Sequence, residues 1–259
     1  MTERLAVVTG AARGIGAATA RRLAEDGWSL LLVDACAPQH PAGYPMPSPE
    51  DLTSVARDCL VAGAPRATEL VADVGDGTVR DQIRHALDGQ TPAAVVAAAG
   101  VIHGAQAWAV PDDAFDLMLR VNLGGVRHLA DACVPSMIEA GAGRFVAVAS
   151  AAALRAMPRL AAYSAAKSAI VGYVRALAAD LAGTGVTANA VCPGSTRGPM
   201  LEASAAVYDL SGQETFAAQA LLRRLLAPDE VAAALTWLCG PDASALTGAV
   251  IPVDAGLGA

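Results

Sequence analysis

Thr9-Gly10-Ala11-Ala12-Arg13-Gly14-Ile15-Gly16 follows directly on the apolar run Leu5 to Thr9, and an amphipathic stretch with Leu23 on its apolar side comes next. Strand, glycine turn and helix in that order make a phosphate cradle. Gly10 permits the tight turn, Gly14 lets a diphosphate approach the backbone, and Gly16 lets the helix pack on the sheet with its positive end facing the negative charge. The spacing is G-x-x-x-G-x-G rather than G-x-G-x-x-G, so the placement after a first strand carries the reading. A second apolar strand, Ser29 to Val33, ends in Asp34, close to the offset at which an acid meets an adenosine ribose. Its carboxylate would accept from both ribose hydroxyls and repel a 2′-phosphate, which favours NAD over NADP. Arg13 points weakly the other way as a partner for such a phosphate, or is a solvated arginine.

Tyr163 and Lys167 lie four residues apart on an apolar, Ala-rich helical stretch, which places a phenol and an ammonium one turn apart on one face. Taking a tyrosine from its free pKa of about 10 to a phenolate at pH 7 costs roughly 4 kcal/mol. A lysine about 4 Å away is worth up to about 4 kcal/mol at an effective dielectric near 20, so the pair has the means to abstract an alcohol proton. The same spacing also suits a buried tyrosine beside a snorkelling lysine.

With these motifs in order, the chain closely resembles the short-chain dehydrogenase/reductase family over essentially its whole length. The family's glycine motif matches Thr9 to Gly16, with Arg13 and Ile15 inside it, and its adenine-contacting pair matches Asp73-Val74. Its catalytic asparagine matches Asn122, its catalytic serine Ser150, and its Tyr-x-x-x-Lys Tyr163 and Lys167. Its turn over the nicotinamide matches Pro193-Gly194, followed by Ser195 and Thr196. Three departures stand out. The usual Asn-Asn-Ala-Gly reads Ala97-Ala98-Ala99-Gly100, which removes expected polar braces but keeps Gly100 for close backbone approach; a common threonine is replaced by Gly198; and the C-terminal Asp-Gly-Gly reads Asp254-Ala255-Gly256.

The resemblance implies that NAD accepts hydride from a secondary alcohol while Tyr163 takes the hydroxyl proton and Ser150 holds the forming carbonyl oxygen. Lys167 would stabilise the phenolate and bind the nicotinamide ribose, and Asn122 would position a water that relays the proton. A conventional carbonyl or 3-oxoacyl-type reductase with a diffusible cofactor would use the same residues in reverse. A nucleotide-binding sensor without turnover is the alternative from another class, and the intact Ser150, Tyr163 and Lys167 argue against it.

Between Asp34 and a helix starting near Glu50 lies a proline-rich insertion, residues 36–49, in which proline at such density excludes a helix or central strand. It reads as an extended arm beside the adenosine site. With Tyr44, Pro45 and Ser48-Pro49-Glu50-Asp51-Leu52 it resembles the dehydrogenases associated with the redox peptide cofactor mycofactocin. Gly194-Ser195-Thr196-Arg197, Met200-Leu201 and Ala205-Ala206-Val207-Tyr208 extend that likeness. In that subfamily the insertion is thought to cover the bound nicotinamide cofactor, which then passes electrons to an external acceptor. Met200, Leu201, Tyr208, Leu210, Phe216, Leu221 and Leu222, joined by Leu154, Met157 and Trp108, are candidates for an apolar lid, or for ordinary helix core. Such a lid suits a hydrophobic alcohol, and the subfamily likeness points towards terpenoid, carveol-like substrates.

The expected architecture is one Rossmann-like α/β domain over residues 1–259, a doubly wound parallel sheet with helices on both faces. Seven strands are expected near residues 4–9, 29–33, 67–72, 93–98, 144–149, 186–191 and 248–253, with long helices around Ala114 to Ala140 and Tyr163 to Leu181. In the resembling family those helices also pack between subunits, implying a homotetramer. A formal charge of −7 and no basic stripe argue against nucleic acid as a partner. Apolar runs are far shorter than the roughly 20 residues of a spanning helix, and Met1-Thr2-Glu3-Arg4 leads straight into the first strand, so a cytoplasmic protein is expected. Five scattered cysteines without C-x-x-C spacing suit reduced thiols, and the four histidines lack ligand spacing, so no metal is expected. His103, which follows Gly100, reads first as a surface-loop histidine and second as one overhanging a substrate pocket.

Overall fold

The computed structural model describes residues 4–37 and 43–259; Met1 to Glu3 and residues 38–42 of the proline-rich segment, including His40, lie outside the described residues. Seven parallel strands form one sheet: β1 (Leu5–Thr9), β2 (Ser29–Asp34), β3 (Ala67–Val71), β4 (Ala94–Ala97), β5 (Gly143–Val148), β6 (Val186–Pro193) and β7 (Val250–Val253). Their spatial order is β3-β2-β1-β4-β5-β6-β7. Each therefore needs a crossover, and the direction of winding reverses between β1 and β4, where an open α/β sheet forms its ligand crevice. β1 pairs with β2 from Leu5 opposite Ser29 to Thr9 opposite Val33, and with β4 from Ala6 opposite Ala94 to Thr9 opposite Ala97.

The central strands read as continuous apolar runs because both faces of the sheet are covered. Leu5, Val7, Leu31, Val95 and Phe145 face one core, together with α3 (Val79–Leu87), α5 (Gly125–Ala140) and α6 (Ala161–Asp180). Ala6, Val8, Leu30, Leu32, Val96 and Val146 face the other, under α1 (Gly14–Glu25), α2 (Pro49–Ala62) and α8 (Pro228–Cys239). The expected helix over Ala114 to Ala140 is interrupted: α4 (Asp112–Met118) passes through a π-helical turn, Leu119–Gly124, before α5 begins. Such widened turns recur at functional sites, and this one holds Asn122. α7 (Pro199–Val207) follows β6. No helix among the described residues is long and apolar enough to cross a membrane.

The arm ends where α2 begins, and the chemistry there is local. Ser48 accepts from the Asp51 N–H at 3.3 Å, and the Asp51 carboxylate accepts in return from the Ser48 N–H at 2.8 Å, with Pro49 in the first helical turn. This reciprocal cap fixes the direction in which the arm leaves the helix. Ser48→Ala is expected to lower unfolding free energy by about 1 kcal/mol in urea titrations, with Ser48→Asn recovering most of the loss.

Candidate active site

The carboxyl ends of the strands surround one large cavity of about 530 Å³. Gly10, Arg13, Gly14, Ile15, Gly16, Asp34, Asp73, Val74, Gly100, Ser150, Tyr163, Lys167, Pro193, Gly194, Ser195 and Thr196 all line it. Asn122 does not line the wall; it is fully buried directly behind it.

The glycine turn has the shape that a dinucleotide requires. Gly10 adopts φ +66°, and a Cβ there would stand 2.8 Å from Ala99 Cα; one on Gly16 would stand 2.1 Å from the Gly10 carbonyl oxygen. Around Gly14, in contrast, there is open space on the cavity side. No side chain caps the first turn of α1 and no acid lies in it, so its N–H groups are left for an anion. These features fit a diphosphate. At the departing segment Ala97-Ala98-Ala99, the Ala99 N–H donates to the Thr9 hydroxyl at 3.2 Å.

Asp34 is 8% exposed, and its carboxylate accepts from the N–H groups of Ala12 (3.1 Å) and Cys36 (3.2 Å), which joins the glycine turn to the end of β2. Burial raises its pKa, opposed by those N–H groups and by the Arg13 charge. Asp73 accepts from the Gly75 N–H at 2.8 Å and pairs with Arg120 at 3.2 Å. His128 Nδ1 donates to the Val74 carbonyl at 2.8 Å, a brace on the same segment that carried no sequence signal.

Arg13 lines the cavity and is half-exposed, and its guanidinium is tied to the arm. Its guanidinium donates to the Pro45 carbonyl at 2.6 Å, reaches Met46 Sδ at 3.3 Å and lies 5.7 Å from the centre of the Tyr44 ring. The Tyr44 hydroxyl accepts from the Ile102 N–H at 3.4 Å, and Met46 and Pro47 line the cavity. The arm thus spans from the glycine turn to the loop after β4.

On the opposite wall, Ser150 lies two residues beyond the end of β5, and its hydroxyl accepts from the Ala152 N–H at 3.1 Å. Tyr163 and Lys167 face it from α6, both almost fully buried. Burial pushes the Tyr163 phenol up to about 12, and a hydrogen bond with Ser150 opposes it. Burial drives the Lys167 ammonium down to about 8. Lys167 Nζ donates to the Val148 carbonyl at 2.8 Å and sits 5.7 Å from the Tyr163 ring centre. Desolvation is the largest influence on both groups, and the hydrogen bond with Ser150 is what favours the phenolate. Asn122 Oδ1 accepts from the Val101 N–H (3.1 Å), while Nδ2 donates to the carbonyls of Val101 and Met118 (both 3.0 Å). Gly100 fits between: a Cβ on it would stand 2.7 Å from Asn122 Oδ1 and 3.3 Å from Lys167 Nζ.

At the substrate end, Met157, Leu160, Met200, Leu201, Tyr208 and Phe216 line the cavity. Tyr208 meets Phe216 edge-to-face at 5.9 Å. Of the other lid candidates, Leu210 packs behind Phe216, and Trp108, Leu154, Leu221 and Leu222 are exposed and do not line the cavity. His103 lies on the loop after β4, half-buried and off the cavity wall. No group of three or more His, Cys, Asp or Glu among the described residues is arranged to hold a metal.

A doubly wound sheet with this crevice defines a dinucleotide-binding protein. A family model described as enoyl-(acyl carrier protein) reductase matches residues 10–258. An uncharacterised NAD-dependent oxidoreductase of Mycobacterium tuberculosis is 34% identical over 262 residues, covering 98% of this chain and 95% of the relative. The (-)-trans-carveol dehydrogenase of Rhodococcus erythropolis is 34% identical over 269 residues, covering 98% and 96%. Among solved structures, carveol dehydrogenase from Mycobacterium avium in complex with NAD superposes with a TM-score of 0.92 at 28% identity, covering 98% of this chain and 97% of that one. The chain belongs to the short-chain dehydrogenase/reductase family, and its activity class is that of an oxidoreductase.

The buried lysine makes a testable demand on stability. With its pKa lowered from 10.5 to about 8, folded Lys167 binds fewer protons than unfolded lysine between those values, so it favours folding increasingly as pH rises through that window. The raised pKa values of Tyr163 and of buried thiols act oppositely, but they are shared by wild type and Lys167→Met. The difference between their urea-unfolding free energies should therefore favour Lys167→Met most at neutral pH and shrink from about pH 8 upwards; a difference independent of pH would contradict a buried, depressed lysine.

Proposed function

We propose that this protein transfers hydride from a secondary alcohol with an apolar body to NAD, with residues 1–259 acting as one NAD-binding domain. The observation that carries the reading is the burial of Tyr163 and Lys167 beside Ser150, on the wall of the cavity that also contains the glycine turn and Asp34. NAD, when bound, supplies the hydride acceptor and a positive charge beside the phenol. Gly10, Gly14, Ile15 and Gly16 receive the diphosphate, Asp34 accepts from the ribose hydroxyls, and Asp73 and Val74 border the adenine. Gly100, Pro193, Gly194, Ser195 and Thr196 flank the nicotinamide half.

Tyr163 takes the hydroxyl proton as phenolate, and Ser150 donates to the carbonyl oxygen as it forms. Lys167 stabilises the phenolate and binds the nicotinamide ribose. Asn122, whose side-chain amide already joins Val101 to Met118, holds Gly100 against Lys167 and positions the water that carries the proton away. Met157, Met200, Leu201, Tyr208 and Phe216 favour a hydrophobic, terpenoid-like alcohol, and the carveol dehydrogenases similar to this chain support that class.

The clamp of Arg13 on Pro45 and the reach of Tyr44 to Ile102 support a cofactor retained under the arm and reoxidised in place by an external acceptor such as mycofactocin. Exposed Phe115 on α4 and Trp237 on α8 support assembly as a homotetramer, and the protein is proposed to work in the cytoplasm. The reverse direction, a carbonyl reductase with diffusible cofactor, finds support in the description of the matching family model.

Tyr163→Phe should leave NAD binding within about twofold and cut turnover of an accepted alcohol by at least about a hundredfold, the scale of general-base catalysis. Near-normal turnover would sink the assignment. Desalted wild-type protein, denatured and analysed by mass, should release near-stoichiometric NAD or NADH, and Arg13→Ala with Tyr44→Phe should release far less; nucleotide-free wild-type protein would point to an exchanging cofactor.

A further inference from the structure

Arg155 is an exposed residue that lines the cavity at its substrate end, with no acidic partner among the described residues. It sits on the loop after the short 3₁₀ turn Ala151–Ala153, and its N–H donates to the Ala151 carbonyl at 3.0 Å, so its backbone is held about one turn beyond Ser150. One guanidinium N–H donates to the Leu257 carbonyl at 2.5 Å, which ties the side chain to the C-terminal segment. Arg197, the other arginine lining that end, has its charge paired by Glu214. Asp34 and Asp73 lie at the opposite, adenosine end of the same cavity. The rest of the substrate end consists of Met157, Leu160, Met200, Leu201, Tyr208 and Phe216 with a few neutral polar groups.

A guanidinium carries five N–H donors in a fixed fork suited to an oxyanion, and only one is taken by Leu257. We infer that Arg155 anchors an anionic group of the substrate, so that the preferred substrates are secondary alcohols with an apolar body bearing a carboxylate or similar oxyanion. This rests on the oxidoreductase reading above and narrows its substrate class. The apolar side chains receive the body, the fork of Arg155 receives the anion, and Ser150 and Tyr163 receive the hydroxyl; three separate contacts fix orientation as well as affinity.

The test uses the NAD-loaded protein and two pairs of probes. Calorimetric titration with cyclohexanecarboxylate and cyclohexanecarboxamide should give tighter binding of the carboxylate by about tenfold or more, as expected for a charge-assisted hydrogen bond. Arg155→Gln should abolish that preference while leaving the amide within about twofold, and Arg155→Lys should keep part of it. Equal affinities in wild type, no measurable carboxylate binding at millimolar concentration, or an equal loss for both probes in Arg155→Gln would overturn the proposal and leave Arg155 as a tie to the C-terminal segment. The second pair, 4-hydroxycyclohexanecarboxylate and its carboxamide, offers the same groups on a secondary alcohol, with an artificial acceptor present. Arg155→Gln should raise KM for the acid with little change in kcat. Oxidation of both alcohols without preference for the acid would sink the anchor and leave the oxidoreductase reading intact. Arg155-dependent carboxylate binding with oxidation of neither alcohol would support the anchor and count against the oxidoreductase reading.

Discussion

The close approach of two backbone turns at the point where the sheet changes winding direction governs the rest of the structure. Gly10 packs against Ala98 and Ala99 at a distance that excludes a Cβ, and Gly16 packs equally tightly on the Gly10 carbonyl. These contacts bring β1, α1 and the end of β4 to one place, and the crevice between them exists because nothing larger than hydrogen fits where they meet. Asp34 then joins β2 to the same turn through its two accepted N–H groups. The nucleotide cradle and the centre of the sheet are therefore one mechanical unit.

Across the crevice the organising influence is desolvation. Burial raises the pKa of Tyr163 and lowers that of Lys167, so at neutral pH the free protein holds a neutral phenol beside a lysine that is still mostly protonated but titrates far more readily than a free one. The Val148 carbonyl and the Ser150 hydroxyl are the nearest polar partners, and both come from the end of β5 or just beyond it. Gly100, lodged between Asn122 and Lys167, couples the π-helical turn to this pair. The Ser150 hydroxyl and the two titratable groups thus share a single support, the segment at and just after the end of β5, which limits how far they can move apart.

Much of this could be read from the residues. The strands fell within about two residues of their expected positions because each is an apolar run flanked by turn chemistry, the pattern of a sheet buried on both faces. The convergence of Gly10, Asp34, Asp73, Gly100, Ser150 and Pro193 follows from their sharing the carboxyl ends of strands. Long-range side-chain partners were not legible. Nothing in the spacing of Arg13 announces Pro45 and Tyr44, since the arm folds back from a chain segment without periodicity. His128 reaches Val74 across two elements, and Arg155 is tied to Leu257 from the far end of the chain. The interruption of the Ala114 to Ala140 helix was hidden because a π-helical turn leaves the apolar pattern almost unchanged.

The engagement of Arg13 has a consequence for the charge at the adenosine end of the cavity. A basic residue in the glycine turn stands near the Asp34 carboxylate, and such a residue, when free, is a ready counter-charge for an anion. Here the arm occupies it. The arm and the charge presented at the adenosine end are consequently linked: without Tyr44, Pro45 and Met46 in place, a guanidinium would stand free near Asp34.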